Sequence, residues 1–102
     1  MSAPLVSATT QVPTDAPARV MTRLCKHFAH KAPVELEAAR GRIGFRAGSY
    51  AELHAAGAAL DIQVYAGDAA TLEQLFAVIE RHLKMVEFRD TMPQLVWVRA
   101  AA

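Results

Sequence analysis

Eight residues, Leu24-Cys25-Lys26-His27-Phe28-Ala29-His30-Lys31, hold the only cysteine of the chain, two of its four histidines and two lysines. Imidazole and thiolate are transition-metal ligands, so this stretch is the first place to look for a metal site. His27 and His30 are three residues apart, and on a helix both rings can reach one ion. Two donors are too few, so a third must come from elsewhere. His82 is the favoured donor, and His54, Glu35 and Glu37 are the alternatives. The expected metal set is therefore His27, His30 and His82, with iron or zinc as the ion. Cys25 is excluded from it, because on a regular helix it sits about 160° around the axis from His27. A second reading needs no ligand. Lys26, His27, His30 and Lys31 are cationic groups at a helix end, where they complement the negative end of the helix dipole.

A second group is basic. Arg42 and Arg46 alternate along one strand, with Tyr50 and Tyr65 as neighbours, and could hold an anionic ligand. Glu35, Glu37 and Glu52 could instead pair with them across strands. There is no phosphate-cradling glycine loop, no Cys-x-x-Cys and no His-Glu-x-x-His, and no nucleophile, base and orienting group can be assembled. The sequence leans away from an enzyme.

The elements that carry these residues follow from periodicity. Val6, Ala8, Thr10 and Val12 alternate with polar residues and predict a strand that Pro13 ends. Thr14 or Asp15 can cap a helix running from about Asp15 to Lys31, with Pro17 in its first turn. Val20, Met21, Leu24, Cys25 and Phe28 fall within an arc of about 140° on that helix. Cys25 belongs to this apolar stripe and reads as a small core residue. Ala32-Pro33 stops the helix. The period then becomes two, giving four strands between Val34 and Ala66, with turns at Arg40-Gly41, Ala47-Gly48 and Ala56-Gly57-Ala58. Asp68 caps a second helix carrying Leu72, Leu75, Phe76, Ile79, Leu83 and Val86. After Pro93, the stretch Gln94 to Arg99 predicts a closing strand. The fold class is α+β, a two-layer sandwich in the order β-α-β-β-β-β-α(-β). Two helices cover one face of an antiparallel sheet of five or six strands.

Composition bounds the rest. The chain has 102 residues, the size of one domain, and a formal net charge of +1. A balance so near zero gives no basic stripe for nucleic acid and no electrostatic pull toward a membrane surface. One cysteine makes no internal disulfide, which fits a reducing, cytoplasmic setting. No signal peptide or bilayer-length apolar run is read, and the terminal Ala100-Ala101-Ala102 is expected to fray.

The histidine-rich stretch, followed by Pro33-Val34-Glu35 and Gly41-Arg42-Ile43-Gly44-Phe45, resembles the bacterial family known as domain of unknown function 2218. Asp68 with Thr71-Leu72, and His82-Leu83 before Phe88-Arg89, fit it as well. The resemblance runs from about Thr9 to Arg99. Related domains are fused to siderophore-interacting reductases, so the resemblance implies a binding or accessory domain in iron or siderophore metabolism. It also implies a reductase as a candidate partner. Some relatives carry an aldolase name that implies a metal-dependent TIM barrel, which this chain is too short to form. The family usually has an acidic or His-Gly pair before Arg42. Arg40-Gly41 stands there instead, so no histidine role in that turn carries over. The alternative to a binding domain is a structural or interaction module that forms a homodimer through the open sheet face or an edge strand.

Overall fold

The computed structural model describes residues 5–100. Expectations about residues 1–4 and about the alanines at 101–102 lie outside the described residues. The elements are β1 (Val6–Pro13), α1 (Pro17–Phe28), β2 (Val34–Glu37), β3 (Arg40–Gly44), β4 (Tyr50–Ala56), β5 (Ala59–Ala66), α2 (Ala69–Val86) and β6 (Val98–Arg99), with a one-turn 3-10 helix at Arg46–Gly48. The sheet order is β2-β3-β4-β5-β1-β6. Every neighbouring pair is antiparallel.

Period-two alternation decides the two layers. Ala8, Val12, Ile43, Ala51, Leu53, Leu60, Ile62, Val64 and Ala66 turn to one side and are buried. Val20, Met21, Leu24, Cys25 and Phe28 of α1 and Leu72, Leu75, Ile79 and Leu83 of α2 join them in a single core. Both helices therefore cover one face, as the sequence predicts. Truncating Leu24, which is wholly buried, would cost about 2–5 kcal/mol by leaving a cavity under α1. No described helix is long and apolar enough to cross a membrane.

The boundaries of α1 differ from expectation at both ends, and proline is the reason each time. The helix begins at Pro17, with Ala16 at φ −136° and no side chain capping it. A residue before proline is driven out of the helical region, so neither Thr14 nor Asp15 can cap from inside. Thr14 Oγ1 instead accepts from the Ala16 amide at 3.1 Å. At the other end Ala32 precedes Pro33, and the chain tightens early: the Lys31 amide donates to the Phe28 carbonyl at 2.9 Å. The helix stops at Phe28, so His30 lies in the turn beyond it.

The first hairpin also shifts. Glu37 pairs with Arg40, so the turn is Ala38-Ala39 and Arg40-Gly41 begins β3. Ala38 takes a positive φ of 50°, an unfavourable conformation for a residue with a Cβ. Gly41 is reserved for a different task, since a Cβ there would sit 3.0 Å from Cys25 Sγ. Asp68 caps α2 as predicted, its carboxylate accepting from the Thr71 amide at 2.7 Å. The closing strand is only two residues long. Ahead of it, side chains hold what the ladder does not. Thr10 Oγ1 donates to the Val96 carbonyl at 2.8 Å, Trp97 Nε1 donates to Glu80 at 2.7 Å, and the Trp97 ring stacks on Phe76 at 4.3 Å.

Candidate functional site

The last turn of α1 lies against α2 with four rings clustered there. His27 and His82 have ring centroids 4.8 Å apart. Phe28 packs on His82 at 4.5 Å and meets Phe45 edge-on at 5.5 Å. Helical geometry places them so. Phe28 lies on the buried stripe of α1 and His27 on its flank, while His82 is one turn beyond Val78 on α2. His82 is a buried residue. Its Nδ1 lies 2.6 Å from the Val78 carbonyl oxygen. A carbonyl only accepts, so the Nδ1 of His82 carries a proton and donates it to Val78. The His27 Nε2 atom is buried and has no hydrogen-bond partner. Burial lowers the pKa of His27 below its ordinary value, and the charges of His82, Lys31 and His30 act in the same direction.

The predicted donors divide. His27 and His82 meet, but His30 is exposed beyond the helix, because Pro33 ends α1 early. Glu35 and His54 sit opposite Arg42 and Arg40 on the far, open side of the sheet, and Glu37 shares that face. The sheet itself separates these three from α1. Among the described residues no three His, Cys, Asp or Glu side chains are grouped closely enough to hold an ion. The expected triad His27, His30 and His82 therefore does not assemble as a three-donor set. Cys25 is buried and free, and burial pushes its thiol up to about 11, so at neutral pH it is a packed thiol and not a thiolate ligand.

The two arginines of the predicted anion site sit on different elements, Arg42 on β3 and Arg46 in the 3-10 turn. Arg42 is on the open face, between Glu35 and Glu52 in register. Its guanidinium lies over the Tyr50 ring at 4.1 Å, and Tyr50 stacks on Tyr65 at 4.5 Å. Among the described residues, the ion pairs within 4.0 Å are those of Arg19 and Arg23 with Glu87 and of Arg99 with Glu73. The cross-strand network expected for Arg42 is thus replaced by a cation–ring contact. Arg46 has left the sheet for the 3-10 turn, where the strand period no longer applies. The open face instead carries a broad groove of about 1080 Å³, lined among others by Gln11, Glu52, His54, Asp61, Val96 and Val98. The alternation of Val96 and Val98 against Leu95 and Trp97 was the sequence signal for its outer wall.

A two-layer α+β domain, with one imidazole pair between its helices and a polar groove on its bare sheet face, is the class these features define. The chain belongs to the family described as "Uncharacterized protein conserved in bacteria (DUF2218)", whose model matches residues 9–98. A solved structure, the NMR structure of PA4090 from Pseudomonas aeruginosa, is similar to it. That protein is 32% identical, with a TM-score of 0.73 over 90% of this chain and 94% of the other. No curated protein matches.

Proposed function

We propose that the chain is a binding domain whose site is the imidazole pair between α1 and α2, and that its ligand is a transition-metal ion held by His27 and His82. One observation carries this reading: the buried His27 Nε2 has no partner, and its ring lies 4.8 Å, centroid to centroid, from an imidazole whose Nδ1 is held by a backbone carbonyl. A ligating histidine is commonly oriented in that way. The spacing fits. Two imidazoles on one tetrahedral ion, with metal–nitrogen bonds of about 2.0–2.1 Å, hold their ring centroids roughly 5 Å apart, and these are 4.8 Å apart. The two donors leave coordination positions open for a ligand. The iron or siderophore link implied by the resemblance would use those positions, with a reductase as partner. The test is copper(II) added below one equivalent to untagged protein. The imidazole NMR signals of His27 and His82 should broaden first, while His54, across the sheet, stays sharp. His27→Gln and His82→Gln should each abolish the effect. Broadening at His54 with His27 and His82 untouched would refute the reading.

The open face favours a second reading, an interaction module that self-associates. Val96 and Val98 are 71% and 61% exposed there, beside the polar groove. A sedimentation run giving a dimer that Val98→Lys returns to monomer would support it, and a wild-type monomer at tens of micromolar would exclude it.

A further inference from the structure

We propose that the groove on the open sheet face is a binding site in its own right, separate from the imidazole pair, and that it takes a neutral polyhydroxylated ligand, a sugar ring. Strand register builds its floor. Glu52 of β4 stands opposite Gln63 of β5, and Gln63 opposite Thr9 of β1. Two residues along, His54 stands opposite Asp61, and Asp61 opposite Gln11. Side chains two apart on a strand share a face, so these six form a grid of two rows, with about 4.8 Å from strand to strand. All six line the groove, and its volume of about 1080 Å³ is near the upper end of the roughly 300–1,000 Å³ usual for small-ligand sites.

The chemistry of the grid selects among ligands. Glu52 and Asp61 as carboxylates only accept hydrogen bonds, Gln63 and Thr9 both donate and accept, and His54 adds its ring nitrogens. Gln11 Nε2 donates to Asp61 Oδ1 at 2.9 Å, which steadies that carboxylate and leaves Oδ2 to accept from a ligand. Arg40, opposite His54 on β3, also lines the groove. Among the described residues none of Arg40, Glu52 and Asp61 belongs to an ion pair within 4.0 Å. An anion would meet the two carboxylates and a cation would meet Arg40, so charge favours neither. An apolar ligand would cover amides and carboxylates without returning their hydrogen bonds, at a cost for each. A hydroxyl donates and accepts, so a ring carrying several of them answers carboxylate and amide together. The exposed Val96 and Val98 form the outer wall and offer an apolar strip to the C–H edge of such a ring.

The test is an NMR titration of the full chain with glucose, galactose, mannose and N-acetylglucosamine, and with the disaccharides maltose and lactose, each taken to tens of millimolar. At least one should give saturable shifts of the Gln63 side-chain amide and of the Thr9 and Asp61 backbone amides. Binding of the monosaccharides supports a free sugar as the ligand, and binding confined to the disaccharides supports a segment of a sugar chain. Asp61→Asn keeps the size of the side chain and an oxygen for Gln11 but removes the charge, and should weaken binding about tenfold, as loss of a hydrogen bond to a charged group does. Gln63→Leu should abolish the shifts. Neither residue belongs to the core, so both variants should fold and melt near wild type. Inorganic phosphate and spermidine serve as charged probes. No saturable shift with any of the six sugars overturns the proposal, as do shifts that both substitutions leave intact, or saturable shifts at these residues with phosphate or spermidine alone.

Discussion

Replacing Gly41 by alanine tests why the first hairpin turns where it does. Gly41 lies on β3 directly beneath α1. A Cβ there would stand 3.0 Å from Cys25 Sγ and 3.6 Å from both Leu36 Cδ1 and Met21 Cγ. Its φ is not in the positive region, so alanine faces no backbone strain, and the change gains about 0.5–1 kcal/mol by reducing unfolded-state freedom. Against that stands overpacking of a core in which Cys25 and Met21 are buried, a cost of about 1–3 kcal/mol. The clash should win by about 1 kcal/mol, lowering Tm by about 4–8 °C for a domain this size. Cys25→Ala supplies the control, since deleting Sγ makes room for the new Cβ. The cost of Gly41→Ala in the Cys25→Ala background should shrink by about 1 kcal/mol or more, measured as a double-mutant cycle by urea unfolding. If Gly41→Ala matches or exceeds wild-type stability, or costs the same with and without the cysteine, the packing account of both residues is wrong.

Ala38→Gly relieves the positive φ in the Ala38-Ala39 turn and should stabilise the protein, because the left-handed penalty of about 1–2 kcal/mol exceeds the entropy cost of glycine; a lower Tm would contradict this. Trp97→Phe removes the 2.7 Å bond to Glu80 while keeping an aromatic ring on Phe76, and should cost about 1 kcal/mol in denaturant unfolding. Glu87 joins α2 to α1 through Arg19 at 2.7 Å and Arg23 at 2.8 Å. The Arg19 hydrogen bond, helped by the charges of Arg19 and Arg23, holds its carboxyl below the ordinary carboxylate value. A depressed folded-state pKa contributes stability above the unfolded value and loses it as pH falls through the folded one. Glu87→Gln should therefore melt below wild type at pH 7 and converge with it as pH falls through the lowered folded-state value, and a gap that persists once the carboxyl is protonated would contradict the assignment.

The layers, the strand count and the cap on α2 were legible in the sequence because they rest on periodicity and on one well-placed carboxylate, Asp68. The inward turn of Cys25 and the approach of His82 to α1 were legible for the same reason: a residue's angle on a helix is fixed by counting. His30 was misplaced because Pro33 acts through Ala32 to end the helix a turn early, which breaks the three-residue relation with His27. Arg46 was misplaced because the strand period stops at Gly44 and a tight turn takes over. Arg42 was on the expected face, but the sequence could not tell whether a guanidinium would prefer the neighbouring carboxylates or the Tyr50 ring. Of the groove only the outer wall left a sequence signal, the alternation of Val96 and Val98, because its shape depends on side-chain ties such as Thr10 to Val96 that hold the chain along β1 ahead of the two-residue β6 ladder.

The most direct measurement of the central claim is the electron paramagnetic resonance spectrum of the untagged protein with one equivalent of copper(II). Nitrogen couplings from two imidazoles are expected, falling to one in His82→Gln and in His27→Gln. A spectrum that neither substitution alters would show that the two rings do not share an ion.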